Sequence, residues 1–373
     1  MFPADVSAQF PYTHTTLIHG FNDNSTRFRT PNTPGLLSSY VNLKEVQTPS
    51  LTGELSIDDQ ASNLRPYLVG SHVLYGLSMG GLTARSAYFA NNAGIWGIVT
   101  VATPHHGAWI ANNATQVTGY IGDVVSDFFL TVYDILYRPQ PTTILSAVTV
   151  DLFRYVASQY VQIYVRGYLN TQFGTKSRAL YDIRVESPTI ARLNVADGVP
   201  HANVFGTIGR RNAVFRLAFS SLYRDSEFDS FVRKKNRLKS AAKACRQIGY
   251  NIIIRTQVGR ACNQVDNIIG SIDDRWAYWT LGPVAKRSPA TFDGLIPTST
   301  SRYPGTSLGD LINFHAVTTN HMNVQYKSEG IAATVRAMFH IGMEQAPTPP
   351  DDGSGSGGGY SCDPGDPKLI CVQ

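Results

Sequence analysis

The stretch His72-Val73-Leu74-Tyr75-Gly76-Leu77-Ser78-Met79-Gly80-Gly81 decides the fold. Its first six residues are an apolar run of strand length, and Leu82–Asn91 beyond it reads as a helix. The glycines and Ser78 therefore fall on the turn between the two. A G-x-S-x-G pattern is weak alone, but between an apolar strand and a helix it is specific. The turn has to be sharp enough to hold Ser78 strained at the carboxyl edge of a sheet with its Oγ exposed. Gly76 and Gly80 are then required, because side chains there would collide with the neighbouring strand and helix. A helix that starts beside the serine aims its first amides and its dipole at the site, which favours a developing oxyanion.

Outward from this turn the pattern repeats. Upstream, Thr15-Thr16-Leu17-Ile18 is a short β-prone run that ends in His19-Gly20-Phe21, followed by a long polar loop and a helix expected at Pro34–Val41. Ser56–Leu68 reads as a second helix, with Ser56 as N-cap and Asp58 and Asp59 in the first turn, where the dipole favours them. Downstream, Ile95–Ala102 is an unbroken apolar run, and strand character returns around Val204-Phe205-Gly206-Thr207-Ile208. Apolar runs separated by helices describe an α/β protein with a mostly parallel sheet covered on both faces.

Composition narrows the function classes. The chain has 373 residues, of which 43% are hydrophobic and only 16% charged, so it can bury a sizeable core. The net charge of +5 traces largely to one local run, Arg233 to Arg246, so no nucleic-acid partner is expected. No run of apolar residues is long enough for a transmembrane helix. The first 20 residues lack the basic and apolar regions of a signal peptide, so the chain is either intracellular or begins after processing. The four cysteines fall into two short-range pairs, Cys245/Cys262 and Cys362/Cys371, which suits disulfides in an oxidising compartment. An extracellular, monomeric protein is the expectation.

Two long segments interrupt the α/β pattern. Between Tyr120 and Tyr137, Asp123, Asp127, Thr131 and Asp134 form one narrow polar stripe, and a similar stripe runs from Asp151 to Arg166. Helices with apolar faces this wide are either packed insertions or a cap over an apolar cleft. A second insertion, at 210–287, joins the basic helix to an apolar stripe of Val258, Cys262, Val265 and Ile269, and a Cys245–Cys262 hairpin is expected there. Trp276, Tyr278 and Trp279 add aromatic surface there, a natural wall for an apolar cleft. The tail from Ala346 to Gly359 is a Pro/Gly/Ser linker, followed by a small Cys362–Cys371 loop.

With these pieces in view, the chain resembles an α/β-hydrolase of the bacterial lipase/esterase type. The resemblance rests on Leu17-Ile18-His19-Gly20-Phe21, the turn around Ser78, Ala102-Thr103-Pro104-His105-His106-Gly107, Phe292-Asp293-Gly294-Leu295-Ile296-Pro297 and Asn320-His321-Met322-Asn323. It implies a serine hydrolase whose nucleophile is Ser78, whose acid is Asp293 and whose base is His321, with the amides of Phe21 and Met79 as oxyanion donors. His315 competes as base; the Asn-His-Met-Asn setting favours His321, whereas Phe314-His315-Ala316-Val317 reads as strand. Asp310 is the runner-up acid, and Asp197 sits in a turn-like pattern. His105 and His106 are expected to line the floor of the site or hold a loop, and His19 to order its own loop.

Two departures from the family stand out. Only 14 residues precede Thr15, so the sheet is a reduced one, and Asn323 stands where many relatives carry a calcium ligand, so no metal is expected. Core segments are expected at 1–110, 179–209 and 288–345, helical insertions at 111–178 and 210–287, and the tail at 346–373. No cofactor is needed; the partner is an ester or lipid, with a lipid–water interface as one setting. The same residues also suit an acyltransferase, a lipid-anchor deacylase, or a non-catalytic lipid-binding protein of this fold.

Overall fold

The chain is described from a computed structural model, in which residues 12–29, 32–117, 177–196, 198–229, 233, 273–283 and 291–346 are defined. Among them the strands β1 (His14–Ile18), β2 (Val46–Gln47), β3 (His72–Leu77), β4 (Ile95–Val101), β5 (His201–Thr207) and β6 (Asn313–Val317) build one sheet in the order β2-β1-β3-β4-β5-β6. Every pairing is parallel; β1 and β3, for example, run in register from His14 against His72 to Ile18 against Gly76.

Burial explains why the central strands read as apolar runs. All six residues of β3 are buried, as are all of β4 except Trp96 and all of β5 up to Gly206. Helices cover both faces of the central strands, so β3, β4 and β5 keep almost nothing exposed to water. On one face Leu17, Tyr75, Leu77 and Val101 pack with Leu37 of α1 (Thr33–Ser38) and with Ile331, Ala337 and Met338 of the C-terminal helix, Ser328–His340. On the other, Ile18, Leu74 and Ile98 meet Ala61 and Leu64 of α2 (Ile57–Leu64) and Ala84 and Ala87 of α3 (Met79–Ala90). The strand period of two thus sorts neighbours such as Leu17 and Ile18 into separate cores. β6 is an edge strand and alternates, with His315 and Val317 exposed and Ala316 buried.

Local signals set the element ends. The Ser56 hydroxyl accepts from the Asp59 amide at 3.1 Å, capping α2, which ends at Leu64 and tightens into a 3₁₀ turn over Arg65–Tyr67. α3 starts at Met79, three residues before the helix read from the sequence, because Gly80 and Gly81 have no side chains to show a periodicity.

Sheet order places the working end. From β2 the chain returns across β1 to lay β3 on its other side, and then builds outward to β6. This reversal makes β1 and β3 the topological switch point, where a crevice opens outside the carboxyl ends of the strands. A third apolar cluster gathers residues that follow those ends: Met79 after β3, Ala108 after β4 and Ile208 after β5, with Phe21 and Met322 packed against it. The helices expected at Tyr120–Tyr137 and along Asp151 to Arg166, the basic run beyond Arg233, both cysteine pairs and the tail after Ala346 lie outside the described residues.

Candidate active site

Ser78 occupies the turn between β3 and α3 with φ 54° and ψ −126°, a left-handed conformation that costs a residue with a side chain about 1–3 kcal/mol. The surroundings hold it there. Its amide donates to the Val101 carbonyl at 2.7 Å, and its carbonyl accepts from the Thr103 hydroxyl at 2.9 Å and the Gly81 amide at 3.0 Å. The glycines admit no side chain. A Cβ on Gly76 would lie 2.4 Å from the Gly81 Cα, and one on Gly80 would lie 2.2 Å from the Ile18 carbonyl oxygen. The turn therefore packs against β1 as tightly as backbone allows.

The loop after β6 brings His321 to this turn. Ser78 Oγ lies 2.8 Å from His321 Nε2, and His321 Nδ1 lies 2.7 Å from Asp293 Oδ2. A carboxylate only accepts, so Nδ1 carries the ring proton and Nε2 is left to accept from the serine hydroxyl. Both partners are almost wholly buried, His321 at 5% and Asp293 at 1% exposure, whereas Ser78 is half-buried. Asp293 is held by its own turn. Its Oδ1 accepts from the amides of Leu295 and Ile296 at 2.9 and 2.6 Å, and its carbonyl accepts from the His321 amide at 2.8 Å. Gly294 provides the φ of +96° that this turn requires. The Trp276 indole donates to the Gly294 carbonyl at 2.6 Å.

The opposite wall is the loop after β1. A Cβ on Gly20 would sit 3.0 Å from Ser78 Cβ and 3.5 Å from its Oγ, so the backbone just before Phe21 runs directly alongside the serine. The Met79 amide opens α3 and so has no partner within the helix. His19 is fully buried: its Nε2 accepts from the Leu51 amide at 3.2 Å, which leaves Nδ1 to donate to the Gly20 carbonyl at 3.0 Å. Both ring nitrogens are thus engaged with backbone, and the ring fixes the loop that carries Phe21.

A parallel sheet with this switch point, and a strained serine turn at its carboxyl edge, decide the architecture. The fold is that of an α/β-hydrolase. No known family profile matches the chain, and no curated protein matches it. Among solved structures it is similar to the mature form of the Bacillus licheniformis lipase BlEst2, at 14% identity over 89% of this chain and 90% of that one, with a TM-score of 0.40. It is also similar to an extracellular α/β-hydrolase from a Paenibacillus species, at 10% identity over 86% of this chain and 96% of that one, with a TM-score of 0.37. A third likeness, to Est816, described as an N-acyl homoserine lactone degrading enzyme, has 15% identity over 52% of this chain and 74% of that one, with a TM-score of 0.30.

Within the α/β-hydrolase frame, the competing residues lie elsewhere. His315 is on the exposed edge strand, bonded to the Thr207 hydroxyl at 2.7 Å and stacked on Phe205 at 4.9 Å. Asp310 is exposed and caps a turn by accepting from the amide and hydroxyl of Ser307, both at 2.8 Å, which holds its carboxyl below the usual range. Asp197 falls outside the described residues. His105 is in a buried polar network between β4 and β5, with Arg85 Nη1 at 3.1 Å from its Nδ1 and Thr100 Oγ1 at 3.0 Å from its Nε2. His106 is half-buried, and burial lowers its pKa ahead of the effects of Arg302 and Arg85. Of the aromatic wall expected at 276–279, Trp276 and Trp279 are buried in the apolar cluster that also holds Met79, and Tyr278 is 57% exposed.

The support of the histidine loop was missed in the sequence. Asn320 Oδ1 accepts from the amides of Met322 and Asn323, and Asn323 Oδ1 accepts from the amide of Asn320 at 2.7 Å. Behind them Asp225 accepts from Ser220 Oγ at 2.5 Å, Tyr326 Oη at 2.6 Å and Asn323 Nδ2 at 3.0 Å. The two asparagines flanking His321 were the available signal; Asp225 lies in a segment with no recognisable motif.

Proposed function

We propose that this chain is a serine hydrolase of carboxylic esters. The observation that carries the reading is the unbroken relay of Ser78 Oγ, His321 Nε2 and Nδ1, and Asp293 Oδ2, at 2.8 and 2.7 Å, at the switch point of the sheet. Ser78 attacks the ester carbonyl while His321 takes its proton at Nε2 and returns it to the leaving alcohol. Asp293 orients the ring and stabilises its cationic form. The amides of Phe21 and Met79 receive the negative charge that develops on the carbonyl oxygen. Water, activated by the same histidine, then releases the acyl group.

The acyl group is a fatty chain in this reading, and the insertions form a cap above Ser78. Support comes from the described residues at and near the ends of those insertions. Ala111, Val117, Ala179, Phe228, Trp276 and Leu281 share one apolar cluster with Met79 of the serine turn. The ends of both insertions thus share an apolar cluster with the serine turn, which supports the reading. A secreted enzyme working at a lipid–water interface fits this arrangement.

The test is hydrolysis of p-nitrophenyl esters from acetate to palmitate, below and above substrate solubility. Turnover that favours the longer chains and rises above the solubility limit is expected. Turnover of acetate and butyrate alone would remove the lipid reading and leave a short-chain esterase. No turnover of any ester would remove the hydrolase reading.

A further inference from the structure

Resting on the ester-hydrolase reading above, we infer that Arg27 is a positioning residue that ties the oxyanion loop to the histidine loop. These two loops leave the sheet from different strands, β1 and β6, and must agree on one geometry for Phe21 and His321 to act on the same carbonyl. Arg27 lies in a 3₁₀ turn, Ser25–Phe28, six residues beyond Phe21, and its side chain is only 10% exposed. Nη2 donates to the carbonyl of Met322, the residue next to His321, at 3.3 Å. Gln325, with its side-chain amide oriented as its neighbours require, accepts from Arg27 Nε at 2.7 Å and from Nη2 at 3.0 Å. On the oxyanion side Nε faces Asp23 Oδ2 at 3.4 Å.

The turn that carries Arg27 is itself ordered. Asn24 Oδ1 accepts from the amide and hydroxyl of Thr26, at 2.9 and 2.6 Å, and Asp23 Oδ1 accepts from the Asn24 amide at 2.9 Å. The guanidinium lies 5.5 Å from the centre of the Tyr223 ring, which packs edge-on against Tyr326, a donor to Asp225 behind the histidine loop. A planar fork of donors can hold a carbonyl, an amide oxygen and a carboxylate at once, which an ammonium cannot do in the same geometry. The cation thus joins residues 295 positions apart in sequence and 1 position from the base. It touches neither substrate nor the reacting atoms.

The test compares the parent with Arg27→Met and Arg27→Lys, using p-nitrophenyl butyrate and checking folding by circular dichroism. In folded Arg27→Met, kcat is expected to fall about 10²-fold, the scale of a misplacement of about 1 Å. KM stays near the parental value, because no contact to substrate is removed. Arg27→Lys, which keeps the charge and a donor, recovers part of the loss. Parental kcat in folded Arg27→Met overturns the proposal, as does a loss that appears in KM alone. If Arg27→Met does not fold, Asp23→Asn takes its place: a lower kcat at constant KM supports the tie, and parental kcat overturns it. A parent that hydrolyses no ester, by contrast, fails at the earlier reading, before Arg27 is in question.

Discussion

His321 and His105 are both buried, and both use their two ring nitrogens, yet their surroundings assign them opposite chemistry. His321 has a carboxylate on Nδ1 and a hydroxyl on Nε2. A proton arriving at Nε2 makes a cation that Asp293 already faces. His105 has the guanidinium of Arg85 on Nδ1, and because a guanidinium only donates, that nitrogen accepts and the proton sits on Nε2, toward Thr100 and Asn203. A second proton would lie against Arg85. Burial first, and then Arg85, His201 and His106, push the His105 pKa well below its ordinary value. What a buried histidine can do is thus decided by the charge of the group on its far nitrogen, and burial alone does not distinguish a base from a structural tie.

The largest effect is expected on the His321 side. His321→Ala should lower kcat by about 10⁶-fold, the scale seen when one member of such a relay is removed, while His315→Ala stays near the parent. Asp293→Asn should cost about 10⁴-fold by presenting the wrong tautomer to Ser78. Asp310→Asn, which alters only an exposed turn, should cost little. Both comparisons are read in ester hydrolysis. A dead His315→Ala beside an active His321→Ala would move the base from the loop after β6 to β6 itself.

The His105 side is expected to move stability and leave the chemistry alone. His105→Gln should retain activity per folded molecule but lose about 1–3 kcal/mol, the cost of disturbing a buried polar network. Its pH dependence carries the sign. The folded-state pKa is depressed, so below the ordinary value of about 6.5 the unfolded chain takes up a proton that the native state refuses. Stability is therefore fully present above that pH and falls as the pH drops through 6 toward 5, by up to about 1.4 kcal/mol per unit for one such group. His72, His106, His315 and His340 are also lowered, chiefly by burial, and contribute in the same direction. His105→Gln should flatten the fall in melting temperature between pH 7 and pH 5; an unchanged slope would mean that His105 is protonated in the fold.

Legibility followed the range of the forces involved. The serine turn was readable because its geometry excludes side chains at Gly76 and Gly80, and that demand appears in the sequence as glycine at fixed offsets from Ser78. The strands His72–Leu77 and Ile95–Val101 were readable because burial on both faces forces continuous apolar runs. His105 and His321 were separated only through their family-like segments, because the charges that set their chemistry come from Arg85 and Asp293, each 20 or more residues away. Arg27 and Asp225 left no trace for the same reason: their roles exist only once loops from β1 and β6 and the segment after β5 have met.

The most direct test of the central claim is covalent. The parent is incubated with an alkyl fluorophosphonate, digested, and mapped by mass spectrometry. A nucleophile activated by His321 predicts one adduct per chain, on the peptide bearing Ser78, and none on His321→Ala over the same time. The absence of an adduct on the folded parent, or an adduct on a different serine, would contradict the assignment of Ser78 as the reacting group.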